Sequence, residues 1–144
     1  MIELLIVMSI LIVLVSLALP PVLRARIQSN EAAAMGNLRT VGSATEGFRS
    51  AQEPPVYPDS FNTMMTSNSP YLDSSWATGR RQGYDYLFNG SADGSTYSTA
   101  GAPQIQNVSG INSYCVDQTG VIRRYASGSV PGGPPGCNPN GVPI

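Results

Sequence analysis

The sequence predicts an α+β fold, with one long N-terminal α-helix packed on a small antiparallel β-sheet. Three observations lead there. An apolar run occupies residues 4–19 without a single charge. A spacing of apolar residues near 3.6 then continues to about residue 52. Beyond residue 79 that spacing gives way to alternation, aromatics and turn dipeptides. The chain therefore divides into a membrane-spanning or core helix (1–22), an amphipathic helix half (23–52), a connecting loop (53–78) and a sheet region with a cysteine-bearing tail (79–144).

The first segment is too apolar for a soluble surface helix. Residues 4–19 make about 24 Å of helix, slightly short of a hydrocarbon core of about 30 Å. Glu3 breaks the pattern at the start of this run, and no basic residue follows it until Arg24. A charge at the centre of a bilayer costs roughly 2.5–3.5 kcal/mol on insertion scales. Two readings stand: a cationic partner from a neighbouring subunit, or a carboxylate near enough to the helix start to reach the headgroups.

Pro20 and Pro21 would kink or end a soluble helix, because each lacks a backbone donor and crowds the preceding turn. Helical spacing nevertheless resumes at once. Leu23, Ile27, Ala34, Met35, Leu38, Val41, Thr45 and Phe48 form an apolar stripe, with one seven-residue step across Glu31. The stripe stops before Glu53-Pro54-Pro55, giving a continuous helix of about 50 residues and 75 Å.

The loop 53–78 carries Pro54, Pro55, Pro58 and Pro70, with one helical turn over 61–65. Residues 83–88 read as a strand, Asn89-Gly90 and Asp93-Gly94 as turns, and 95–99 as the returning strand. Residues 111–116 and 121–126 flank Asp117-Gln118-Thr119-Gly120 as a second hairpin. Three or four strands follow. A sheet this small needs a helix against it, and packing would bury Leu38, Val41 and Phe48. Tyr57, Tyr71 and Trp76 read as core or loop anchors in preference to contact residues.

Composition narrows the chemistry. Net charge is −1, and all eight basic residues are Arg, scattered without a basic stripe, so no nucleic-acid partner is expected. With no His, no phosphate loop, no Gly-x-Ser-x-Gly elbow and no closely paired carboxylates, neither an enzyme nor a metal or cofactor site is expected. Asp117-Gln118-Thr119-Gly120 differs from an aspartic-protease signature by its inserted Gln and lack of a second copy. Asn89-Gly90-Ser91 and Asn107-Val108-Ser109 fit glycosylation sequons and are read as turns. Cys115 and Cys137 would form a disulfide if their region is exported, closing a loop worth about 3 kcal/mol. In a cytosolic protein they would be reduced thiols. Arg24 and Arg26 after the run would by themselves hold the C-terminal part in the cytoplasm. A basic leader upstream of Met1 resolves that conflict, so the chain is expected to lack its true start.

The run Ile2-Glu3-Leu4-Leu5-Ile6-Val7, the proline at Pro20 and the amphipathic continuation resemble the N-terminus of type IV pilins and type II secretion pseudopilins. The resemblance is specific over about residues 1–50. Met1 stands where that family carries a leucine, and the Gly-Phe-Thr before it is absent. By this resemblance Glu3 is the assembly glutamate that meets a neighbour's N-terminal amine, and Pro20, joined by Pro21, marks the helix kink. Gly36, Gly42 and Gly47 add weak points. Cys115 and Cys137 resemble the disulfide that bounds the C-terminal region of pilins, and residues 114–123 resemble an Asp-x-Thr-Gly-Val-Ile-Arg hairpin of small pilin-like proteins.

The resemblance implies a filament subunit held in the bacterial inner membrane, its C-terminal part periplasmic, before it joins an extracellular or periplasmic filament. Implied partners are copies of itself, other pilins or pseudopilins, the prepilin peptidase, and the assembly ATPase and platform. The processed and methylated residues fall upstream of Met1. Calcium binding finds only Asp85, Asp93 and Asp117 after residue 79. Pseudopilin and pilus subunit remain alternatives: the small sheet favours the first, the tail disulfide the second. A membrane-anchored periplasmic binding module that never polymerises is a further alternative, in which Glu3 needs no partner.

Overall fold

The computed structural model describes residues 2–126 and 136–144, with the backbone alone for residues 17–20. Met1, the Pro20 side chain and the 128–135 part of the Pro/Gly-rich tail, all of which entered the sequence reading, lie outside this description. Helix α1 runs Ile2–Ser50, 49 residues, or about 74 Å at the α-helical rise. The backbone stays helical through Pro20 and Pro21. Two donors are missing there, so the weakness of these prolines consists of absent hydrogen bonds within a helix that continues.

Only the second half of α1 is covered. Ala34, Leu38, Val41, Thr45 and Phe48 are buried, stepping by four, three, four and three. Leu23, placed on the same stripe, is 57% exposed. The stripe is therefore a packing surface only from about Ile27 onward, where the sheet begins to cover the helix. Gly36 lies on the open side, and a Cβ there would meet nothing within 4 Å. Gly36→Ala is accordingly expected to stabilise the protein by about 0.8–1.0 kcal/mol, the propensity difference in an exposed helix interior. Thermal unfolding of the variant checks this, and a destabilised variant would contradict the open environment.

Six antiparallel strands are described, where three or four were expected. They are β1 (Arg80–Arg81), β2 (Tyr84–Gly90), β3 (Tyr97–Pro103), β4 (Asn112–Asp117), β5 (Arg123–Ala126) and β6 (Val142–Pro143), in the order β1-β2-β3-β4-β5-β6. The two extra strands are two-residue edges, too short to carry a period. Asn89 and Gly90, read as a turn, extend β2 and pair with Ser98 and Tyr97. The turn lies beyond them, where the Ser91 amide donates to Thr96 O and the Thr96 amide to Ser91 Oγ.

Strand β3 also runs four residues past its expected end, through Ala100-Gly101-Ala102-Pro103. The sheet needs these residues to be small. A Cβ at Gly101 would come within 2.9 Å of the Tyr86 ring, and Ala100 packs beneath Cys115 and Cys137.

The inner face of the sheet is aromatic. Tyr84, Tyr86, Phe88, Tyr97 and Tyr114 join Val116 against the α1 stripe. The connection from α1 to β1 holds a short helix α2 (Phe61–Thr66), the expected helical turn, and a 3₁₀ turn (Ser74–Thr78). Its Trp76 is 1% exposed, with Phe61 and Tyr86 rings each 5.3 Å away. Tyr57 is buried against Tyr97, and Tyr71 is half-buried, edge-on to Phe48. All three aromatics thus anchor the loop to the core.

Candidate functional site

The apolar half of α1 is the most unusual surface. Its aliphatic side chains from Ile2 to Val15, with Val22 and Leu23, are each 50–71% exposed. The most apolar window has a mean hydropathy of 2.9 and is 0% buried, so the helix is long and apolar enough to cross a membrane. The two hydroxyls in the run are already satisfied: Ser9 Oγ donates to Leu5 O at 2.6 Å and Ser16 Oγ to Val13 O at 2.8 Å. Such back-bonding lets serine sit in an apolar helix at little cost. Glu3 has no such outlet. It is exposed, and among the described residues it forms no salt bridge or hydrogen bond.

The other half of α1 is tied to the sheet by polar side chains as well as by the stripe. Glu31 Oε1 accepts from the amides of Ile111 and Asn112, at 2.9 and 3.0 Å, and from Asn112 Nδ2 at 3.1 Å. Asn30 Nδ2 donates to Ser109 O at 2.9 Å, and Asn37 Nδ2 donates to Tyr86 Oη at 3.0 Å. Glu46 accepts from Tyr57 Oη at 2.9 Å. Sequence reading treated Glu31 as a gap in the stripe. A signal existed: Glu31 falls four residues after Ile27 and three before Ala34, on the apolar face itself. A carboxylate there must meet donors from whatever packs on that face.

Desolvation beneath the helix raises the tyrosine pKa values. Burial, then the nearby Glu31 carboxylate, pushes Tyr114 up to about 12. Tyr84 is raised by the same two causes, and Tyr97 by burial followed by Glu46. Each folded tyrosine thus keeps a proton that the unfolded chain releases near pH 10. The folded state binds more protons above that pH, so stability falls as pH rises. Stability is expected to be flat from about pH 7 to 9 and to decline above about pH 10. Near-UV circular dichroism during alkaline titration checks this. Tyrosine ionisation at the ordinary pH without unfolding would contradict it.

Cys115 and Cys137 are joined by a disulfide, with Cα atoms 5.8 Å apart. It lies on the outer sheet face with Ala100 and Tyr125. Asp117, only 6% exposed, organises the same corner. Its Oδ1 accepts from the Thr119 amide at 3.0 Å and from Thr119 Oγ1 at 2.5 Å, while Oδ2 accepts from the Cys137 amide at 3.2 Å. The Gly120 amide closes the turn on Asp117 O at 2.9 Å, with Gly120 at φ +73°, a conformation natural to glycine.

No catalytic constellation emerges among the described residues. Asp85 pairs with Arg80, Asp93 accepts from Ser95, and Asp117 is consumed as above. No three His, Cys, Asp or Glu side chains gather at metal-binding distance among the described residues. An open groove of about 580 Å³ lies between α1 and the β4–β5 turn, lined by Arg39, Glu46, Tyr97 and Thr119 among others. The Ser43 and Thr119 hydroxyls and the Glu46 carboxylate share this groove, with no hydrogen bond from either hydroxyl to Glu46 among the described residues. No protein-family profile, characterised protein or solved structure matches this chain.

Proposed function

We propose that the protein is a subunit of a type IV pilus or pilus-like filament, drawn from a membrane pool and assembled by packing of α1. The observation that carries this reading is the apolar half of α1, uncovered at its described side chains and charged only at Glu3 before Arg24. Lipid satisfies the aliphatic side chains but leaves the carboxylate without a partner. In hydrocarbon, helices gain little from apolar contact alone, so packing and polar pairing decide association. A buried carboxylate tolerates only a register that brings it a cation.

The globular half supports the same reading. Its core is closed by the second half of α1, and its outer face carries the disulfide-bounded corner. Such a body suits a filament surface better than a site for turnover. Expression with a pilus assembly apparatus tests the proposal. Sheared surface material should contain filaments by electron microscopy, and cysteine pairs placed along residues 4–15 of neighbouring subunits should cross-link. A protein that stays monomeric in the membrane under those conditions would instead be an anchored binding module.

A further inference from the structure

We infer that the loop 104–111, with Arg24 and Arg26, is a bilayer-contact surface that seats the globular half on an anionic lipid headgroup layer before assembly. The inference rests on α1 spanning a membrane. Strand β3 starts near Gly42, whose Cβ would meet Tyr97 Oη at 3.6 Å, and runs back along α1 toward its N-terminal half. The loop that follows is clamped at Asn30 and Glu31. It therefore occupies the end of the sheet that faces the apolar half of the helix.

Its chemistry suits a headgroup layer. Ile105, Val108 and Ile111 are 61%, 60% and 46% exposed, three aliphatics within seven residues. Residues 103–116 contain no charged side chain. Most of its backbone donors are already used: Gln104 N donates to Gly83 O, Ile105 N to Ser109 Oγ, Asn107 N to Gly110 O, Val108 N and Ser109 N to Ile105 O, and Ile111 N to Glu31. A loop with most of its amides satisfied within the protein loses less on leaving bulk water than an open one.

Geometry and charge name the occupant. Residues 2–23 make about 33 Å of helix, which matches a hydrocarbon core of about 30 Å. Arg24 and Arg26 then lie in the headgroup layer, both exposed and unpaired among the described residues. Asn30, to which the loop is clamped, follows Arg26 by about 6 Å of rise. Two exposed arginines beside three aliphatics fit anionic phospholipid headgroups with the upper acyl region beneath them.

Spin labels on the full chain in vesicles test this, because a closed disulfide leaves an introduced cysteine as the only thiol. Labels go at Val108→Cys in the loop, Val121→Cys at the opposite end of the sheet and Val13→Cys inside the span. In vesicles of phosphatidylglycerol and phosphatidylethanolamine, the label at 108 should lose accessibility to a water-soluble nickel chelate and keep it to oxygen. The label at 121 should remain open to the chelate. Replacing the lipid by phosphatidylcholine should reduce the shielding at 108, and unchanged shielding would overturn the anionic assignment. A label at 108 as open as the one at 121, while 13 is in lipid, overturns the inference alone. A label at 13 in water overturns it together with the spanning reading. Shielding at 108 that grows with the ratio of protein to lipid marks a contact between subunits and also overturns it.

Discussion

Glu3→Ala is expected to leave the protein in the membrane fraction and to remove nearly all filament. Insertion does not suffer, since the substitution deletes the one charge before Arg24 and leaves the aliphatic run unchanged. Under the proposed assembly the loss falls on the subunit contact. Removing one partner of a buried ion pair leaves the other charge uncompensated and costs about 3–5 kcal/mol. At 1.4 kcal/mol per tenfold, that is roughly a hundredfold or more in association. Immunoblots of membrane and sheared fractions measure both quantities in one culture. Glu3→Gln separates charge from hydrogen bonding, and should resemble alanine if a cation is the partner. Wild-type filament yield from the alanine variant would refute the role given to this carboxylate.

The second large effect is expected at Asp117. Asp117→Ala should destabilise the globular half by about 3 kcal/mol, because it removes a charged acceptor and strands the buried Cys137 amide. For a domain of this size that corresponds to a fall in Tm on the order of 10 °C or more. The same carboxylate holds the β4–β5 turn and the cystine, so its effect should shrink in a Cys115→Ser, Cys137→Ser background. A double-mutant cycle in detergent, followed by thermal unfolding, gives the coupling. Strictly additive losses would show that the carboxylate serves the turn alone.

These two carboxylates show what could be read from the residues and what could not. Glu3 stands out in a linear sequence because its neighbours are all apolar, and the cost of a charge in lipid is independent of fold. Asp117 was legible only as a turn residue. Its bond to Cys137 depends on where a chain segment twenty residues away returns, which no local pattern encodes. The covered half of α1 was read well, since Leu38, Val41 and Phe48 follow the period that burial imposes. The edge strands β1 and β6 have no period to find. The second half of β3 was missed because Ala100 and Gly101 are small to admit Tyr86 and the cystine, and smallness imposed by a distant partner looks like flexibility. Glu31 and the loop 104–111 belong to the same class, being defined by the surface they meet across the fold.

The strand order follows the chain from β1 to β6 without a crossover. Each strand therefore hydrogen-bonds only to those just before and just after it in sequence, and the sheet has low contact order. Under the proposed export across a membrane from the anchored end, every strand can pair as it emerges, on a helix already in place. The exception is the cystine, which couples β4, in the middle of the sheet, to the segment just before β6. Oxidation thus marks the delivery of β1 to β5, since Cys137 follows all five in sequence and precedes only β6.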